Sequence, residues 1–83
     1  MTTAPSADYV IDCRNTLCPL PVVRLRQEID KAAVGKVLRV LATDPASVQD
    51  MPAFARNTGH ELLYTTRNDG VYEFYFRKEE AEE

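Results

Sequence analysis

With 83 residues, 45% of them hydrophobic and 28% charged, the chain is one small domain whose core is too modest to enclose a deep substrate cavity. A formal net charge of −3 argues against direct, tight nucleic-acid binding, and no stretch is long and apolar enough to span a membrane. Two cysteines allow at most one bridge, far from the density of a secreted disulfide scaffold, so the chain reads as a protein of the reducing cytoplasm.

The first segment, residues 1–8, has neither a basic start nor an apolar run, which argues against a signal peptide and for a flexible tail. The next segment, Tyr9-Val10-Ile11-Asp12-Cys13, is short, β-branched and aromatic at its start, and reads as a first strand. Cys13 stands in phase with Tyr9 and Ile11, which makes it a small core-facing residue. The alternative pairs it with Cys18 as a redox couple or resolving thiol.

After the strand comes Asn15-Thr16-Leu17-Cys18-Pro19-Leu20-Pro21. A helix leaves its first backbone N–H groups without internal partners, so Pro19 and Pro21 fit a first turn without forfeiting a hydrogen bond. The residue before a proline is pushed toward extended backbone, so the helix starts at Pro19 or only at Pro21. In either case Cys18 lies near the positive end of a helix dipole, a field that favours thiolate over thiol, and the thiolate is the nucleophilic form. The bland alternative is a structural cap. Arg14, Arg24 and Arg26 give this end a mildly basic character and are candidates for holding a thiolate or meeting an acidic partner. Arg24 with Glu28 and Arg26 with Asp30 are also ordinary helix-surface pairs.

From Val22 the apolar residues Val22, Leu25, Ile29 and Ala32 form a helical stripe that Val34-Gly35 ends. Residues 36–42 have the apolar density of a central strand, and strand, helix, strand in so few residues points to a parallel pair with a right-handed crossover. Asp44-Pro45 offers a capping side chain and a proline for a second helix carrying Val48, Met51, Ala55 and Thr58 up to Gly59. Pro52 should kink or restart that helix, with Asp50 as a second cap. His60 follows Gly59, where a capping or loop role is favoured over that of a general base for Cys18. Residues 61–66 and 71–77 are strand-like and joined by Asn68-Asp69-Gly70, whose residues tolerate the left-handed backbone of a tight hairpin.

This order gives an α+β two-layer sandwich, a four-stranded sheet with two helices on one face. The last strand sets Tyr72, Phe74 and Phe76 against Glu73, Tyr75 and Arg77, so its second face is only partly wet and the chain reads as a monomer or weak dimer. Residues 9–78 form the domain. Residues 79–83, with four glutamates, form an acidic tail of the solvated, disordered kind, and without it the body is about +1. Two cysteines and one remote histidine do not make a zinc site, and no metal or cofactor is expected.

Cys18-Pro19-Leu20-Pro21, preceded by Asp12 and Arg14 and followed by Thr43-Asp44-Pro45-Ala46, Asp50-Met51-Pro52, Phe54 and Gly59-His60-Glu61, resembles the TusA or SirA-like family of small sulfur-carrier proteins over residues 9–78. The resemblance implies a βαβαββ fold with a mixed sheet. It also implies a sulfur relay in which Cys18 accepts a sulfane sulfur as a persulfide. The implied donor is a cysteine desulfurase or a rhodanese-like protein, and an acceptor protein receives the sulfur for tRNA thiolation or dissimilatory sulfur metabolism. Such a carrier is a sulfurtransferase partner rather than a stand-alone turnover enzyme. Where the family has glycine ahead of the cysteine, this chain has Asn15, the commonest non-glycine residue in left-handed backbone, so the turn is expected to survive. The rival readings are a thiol redox protein using Cys13 and Cys18, and a non-catalytic regulatory interaction module.

Overall fold

Strands that bury one face alternate apolar and polar residues, and this chain contains two such strands that must lie parallel, β1 (Tyr9–Cys13) and β2 (Val37–Ala42). A parallel pair needs a crossover, supplied by α1 (Leu20–Lys31). The computed structural model describes residues 4–16 and 20–80, and the chain continues through α2 (Ser47–Thr58), β3 (Glu61–Asn68) and β4 (Val71–Arg77). The sheet order is β1-β2-β4-β3. Tyr9 lies opposite Leu38 and Cys13 opposite Ala42 in the parallel pair, while β4 runs antiparallel to both β2 and β3. This is the α+β two-layer arrangement, with a mixed sheet, that the sequence implies.

One sheet face meets both helices. Ile11, Cys13, Leu38, Val40, Ala42, Phe74 and Phe76 from the strands share a core with Leu25 and Ile29 of α1 and Met51 and Phe54 of α2. Phe54 meets Phe76 edge-on, with ring centres 5.7 Å apart, a geometry that adds to the burial of each ring. The hairpin turn is Asp69-Gly70, with φ of 52° and 80°. Positive φ at both central residues is the backbone that matches strand twist in a two-residue loop.

The helix-free face is covered by its own side chains around β4, which is central in space although last in sequence. Tyr75 is buried there, with the Tyr64 ring edge-on at 5.8 Å and the Arg39 guanidinium 6.0 Å from its ring centre. Glu73 accepts from Arg39 at 3.0 Å and from the Tyr75 hydroxyl at 3.2 Å. Burial pushes the Tyr75 phenol up, and the Arg39 charge partly offsets it.

Several local expectations are corrected. Helix α1 starts at Leu20, and its buried stripe is Pro21, Leu25 and Ile29, with Val22 only partly buried. Pro21 is buried as well, while Leu25, Ile29 and Ala32 of the expected stripe stay in the core. Helix α2 buries Ser47, Met51 and Phe54 and leaves Val48 exposed, because the bulky Phe54 sets the phase and Val48 gives way. Asp44 caps a lead-in turn and not the helix proper: its Oδ1 accepts from the Ala46 N–H at 3.0 Å, and i to i+3 bonds carry the chain into Ser47 and Val48. Pro52 neither divides nor restarts α2. It costs one backbone donor, while Met51 and Phe54 on either side of it are held in the core.

The C-terminal strap ties the far end together. Lys78 exchanges backbone bonds with Gly35 and Lys36 at 2.8 Å each, and its ammonium donates to the Ile29 carbonyl at 2.6 Å near the end of α1, where a cation is favoured. Glu79 departs from the solvated tail expected from residue 79 onward: its N–H donates to His60 Nδ1 at 3.0 Å and its carboxylate accepts from Arg77 at 2.9 Å.

Phe76 is fully buried at the centre of the core. Phe76→Ala is expected to cost about 3–5 kcal/mol, read as a lowered urea midpoint at unchanged slope. A loss under about 1 kcal/mol would contradict this packing.

Candidate functional site

The strand–helix junction is built from β1 outward. After Cys13 the ladder ends and Asn15 turns left-handed, with φ of 65°, the conformation anticipated from its residue type. That turn aims the Asn15 N–H at Thr43 Oγ1, 2.8 Å away, just past the end of β2. Thr16 folds back: its N–H and hydroxyl both donate to the Cys13 carbonyl, at 3.3 and 2.7 Å. Ahead of them Arg14 grips Asp12 in a two-point fork, Nε to Oδ1 at 2.9 Å and Nη2 to Oδ2 at 2.7 Å, with the Arg14 N–H also on Oδ1 at 3.1 Å. Residues 12–16 thus leave the sheet along a path fixed by side chains.

The electrostatics follow from these contacts. Arg14's side-chain hydrogen bonds, then its backbone bond, hold the exposed Asp12 carboxyl down to about 2. The fork leaves Arg14 largely committed to Asp12. Arg24 adds a weaker pull on Asp12 and also acts on Cys13, which places its charge at this end of the molecule. α1 and α2 both begin here, beside the C-terminal ends of β1 and β2, so two positive dipole ends face the same way.

The candidate residues are distributed as follows. Cys18 and Pro19 lie outside the described residues, between Thr16 and Leu20. Pro21 is buried within the first turn of α1. Arg14 and Arg24 flank the end of β1. The Arg26 guanidinium sits 6.0 Å from the Phe54 ring centre, lining a groove of 330 Å³ between α1 and α2 with Val22 and Asp50. Cys13 is fully buried as a free thiol, and burial pushes that thiol up, with Arg24 opposing. His60 is buried, stacks on Phe54 with ring centres 6.1 Å apart, and sits at the opposite end of the sheet. Cys13 pairs with Ala42, while Glu61 and Arg77 align with Val37, so the six residues of β2 separate His60 from the junction by roughly 17 Å. His60 belongs to the fold. Thr43, part of the Thr43-Asp44-Pro45-Ala46 motif, has a role that the sequence did not state, because nothing in its spacing says which backbone donor its hydroxyl receives.

Fold and site together define a small two-layer domain whose sequence carries a cysteine–proline pair between its first strand and first helix. Residues 9–78 match the family model described as sulfurtransferase TusA. The chain is 39% identical over 71 residues to the sulfur carrier protein TusA of Allochromatium vinosum, covering 86% of this chain and 93% of that one. It is equally similar, 39% over 71 residues, to the sulfur carrier protein TusA of Pseudomonas putida strain GB-1, covering 86% and 89%. A crystal structure of the SirA-like protein from Desulfitobacterium hafniense superimposes with a TM-score of 0.74 at 27% identity, covering 87% of this chain and 99% of that one. The chain belongs to the TusA family of sulfur carrier proteins.

The fork at Asp12 makes a sign-specific prediction. Asp12 is held down to about 2 from an ordinary 3.8, so the order it lends the junction is complete above about pH 4 and is lost as pH falls through about 2. Carboxyl-carbon NMR is expected to show Asp12 titrating near 2, and Arg14→Gln to bring it back toward the ordinary value. An Asp12 midpoint already near 3.8 in the unmodified chain would contradict the fork.

Proposed function

We propose that Cys18 carries sulfur as a persulfide, received from a cysteine desulfurase or a rhodanese-like donor and passed to an acceptor protein. The Cys18 thiolate attacks the terminal sulfur of the donor's persulfide. A new S–S bond forms on Cys18, the donor's S–S bond breaks, and the donor leaves as a thiolate with the electron pair. No net oxidation occurs, and the step asks for no metal or organic cofactor. It asks for a thiolate fraction, an accessible sulfur, and a surface that two partners cover in turn.

The observation that carries this reading is the match to sulfur carriers over residues 9–78, with Cys18-Pro19-Leu20-Pro21 at the head of α1. Around that segment the two helix N-termini at this end of the sheet and the charge of Arg24 favour an anionic sulfur. Pro19 and Pro21 stiffen its backbone, and Arg24 suits an acidic partner surface. Residues 9–78 act as the working domain, in the cytoplasm, with tRNA thiolation or dissimilatory sulfur metabolism as the destination.

The rival pairing of Cys13 with Cys18 as a redox couple is disfavoured by Cys13 itself. A fully buried thiol whose proton is held more tightly than usual is a poor resolving nucleophile.

Incubation with a cysteine desulfurase and sulfur-labelled cysteine tests both points. The unmodified chain and Cys13→Ala are expected to take up reductant-labile label, and Cys18→Ser to take up none. Label retained by Cys18→Ser sinks the proposal; label lost in a folded Cys13→Ala revives the couple.

A further inference from the structure

The regular pairing of β1 with β2 stops at Cys13 opposite Ala42. The next connection between the two strand ends is made by a side chain, the Asn15 N–H donating to Thr43 Oγ1 at 2.8 Å across 28 residues of sequence. Thr43 is half-buried and directly precedes Asp44, whose Oδ1 accepts from Ala46 in the turn that leads into α2. One strand exit therefore holds both structures at this end, the outgoing segment from β1 and the start of α2. Asn15 stays in left-handed backbone, which costs a non-glycine residue energy unless its surroundings hold it there. Among the described residues the Thr43 hydroxyl is the partner of the Asn15 N–H, and Thr16, next in line, is itself folded back onto Cys13.

We propose that Thr43 is a positioning residue for sulfur transfer: by accepting the Asn15 N–H it sets the direction in which the chain leaves the sheet on its way to the cysteine–proline sequence. This rests on the reading of Cys18 as the sulfur-bearing residue. Thr43 touches neither donor nor acceptor sulfur. It acts through Asn15, and small misplacements of a reacting group are expensive in rate.

The test uses the full chain and three substitutions. Thr43→Val keeps the shape and removes the acceptor, Thr43→Ala removes it without bulk, and Thr43→Ser restores it. The first readout is the pH profile of iodoacetamide alkylation, followed on the Cys18 peptide by mass spectrometry. The second is kcat/KM for sulfur uptake from a cysteine desulfurase. The third is amide exchange at Asn15.

Thr43→Val and Thr43→Ala are expected to move the alkylation profile to higher pH, to lower kcat/KM about tenfold and to speed Asn15 exchange by at least about tenfold, while Thr43→Ser tracks the unmodified chain. Helical circular dichroism is expected to stay unchanged. If Thr43→Val misfolds, Thr43→Ala carries the same comparison. Alkylation profiles and uptake that coincide across all four proteins overturn the role, as does a Thr43→Ser that behaves like Thr43→Val. An unmodified chain that takes up no sulfur overturns the carrier reading instead, and the alkylation profiles still decide what Thr43 does.

Discussion

Two parallel strands cannot be joined by a tight turn, and most of this molecule follows from that restriction. Once β1 and β2 pair in parallel, the chain must leave the end of β1, cross one face of the sheet and return. The crossover here is a helix of 12 residues, and the segment between strand and helix is forced to the C-terminal end of the pair. The cysteine–proline sequence falls in that segment. The second crossover repeats the geometry, so α2 also starts at this end, and the two helix dipoles add in the region where an anionic sulfur would sit. The opposite end does different work: Lys78, Glu79, His60 and the close of α1 form a bonded strap that leaves the transfer end free of it.

Such a fold offers a carrier what it requires and little else. The core is filled by side chains from both layers, with Phe54, Phe74 and Phe76 among them, and the helix-free face is closed over Tyr75 by Arg39, Glu73 and Tyr64. What distinguishes the site is a short path of residues, 12–16, whose every turn is pinned by an identifiable hydrogen bond. Sulfur exchange needs an oriented, ionisable thiol and room for a partner's thiol opposite it. Rigidity in residues 12–16, which lead to the cysteine–proline sequence, bears on the first need.

Much of this was legible in the sequence, and the exceptions have local causes. The short β-branched strand at Tyr9, the Asp69-Gly70 turn and the order of six elements follow from period and turn chemistry. Asn15 was readable because residue type alone decides tolerance of left-handed backbone. The place of β4 between β2 and β3 was not, since strand order depends on which faces pack and no local pattern encodes it. The phase of α2 was misjudged because Val48 and Phe54 compete for the core and bulk decided the outcome. A restart at Pro52 does not occur, because Met51 and Phe54 on either side of it are held in the core of one continuous helix. The reach of Arg26 to the Phe54 ring was not legible, because a contact between two helices leaves no spacing signature. Thr43 was invisible as a brace because a hydroxyl bond spanning 28 residues leaves no spacing signature.

The account stands on a sulfur atom held by one residue. Tandem mass spectrometry of the chain, loaded by a cysteine desulfurase and freed of it, locates that atom directly. The account predicts a single additional sulfur on the Cys18 peptide, removed by dithiothreitol, with the Cys13 peptide unchanged. Sulfur found on Cys13, or a chain that stays unloaded beside a carrier charged by the same enzyme, would contradict it.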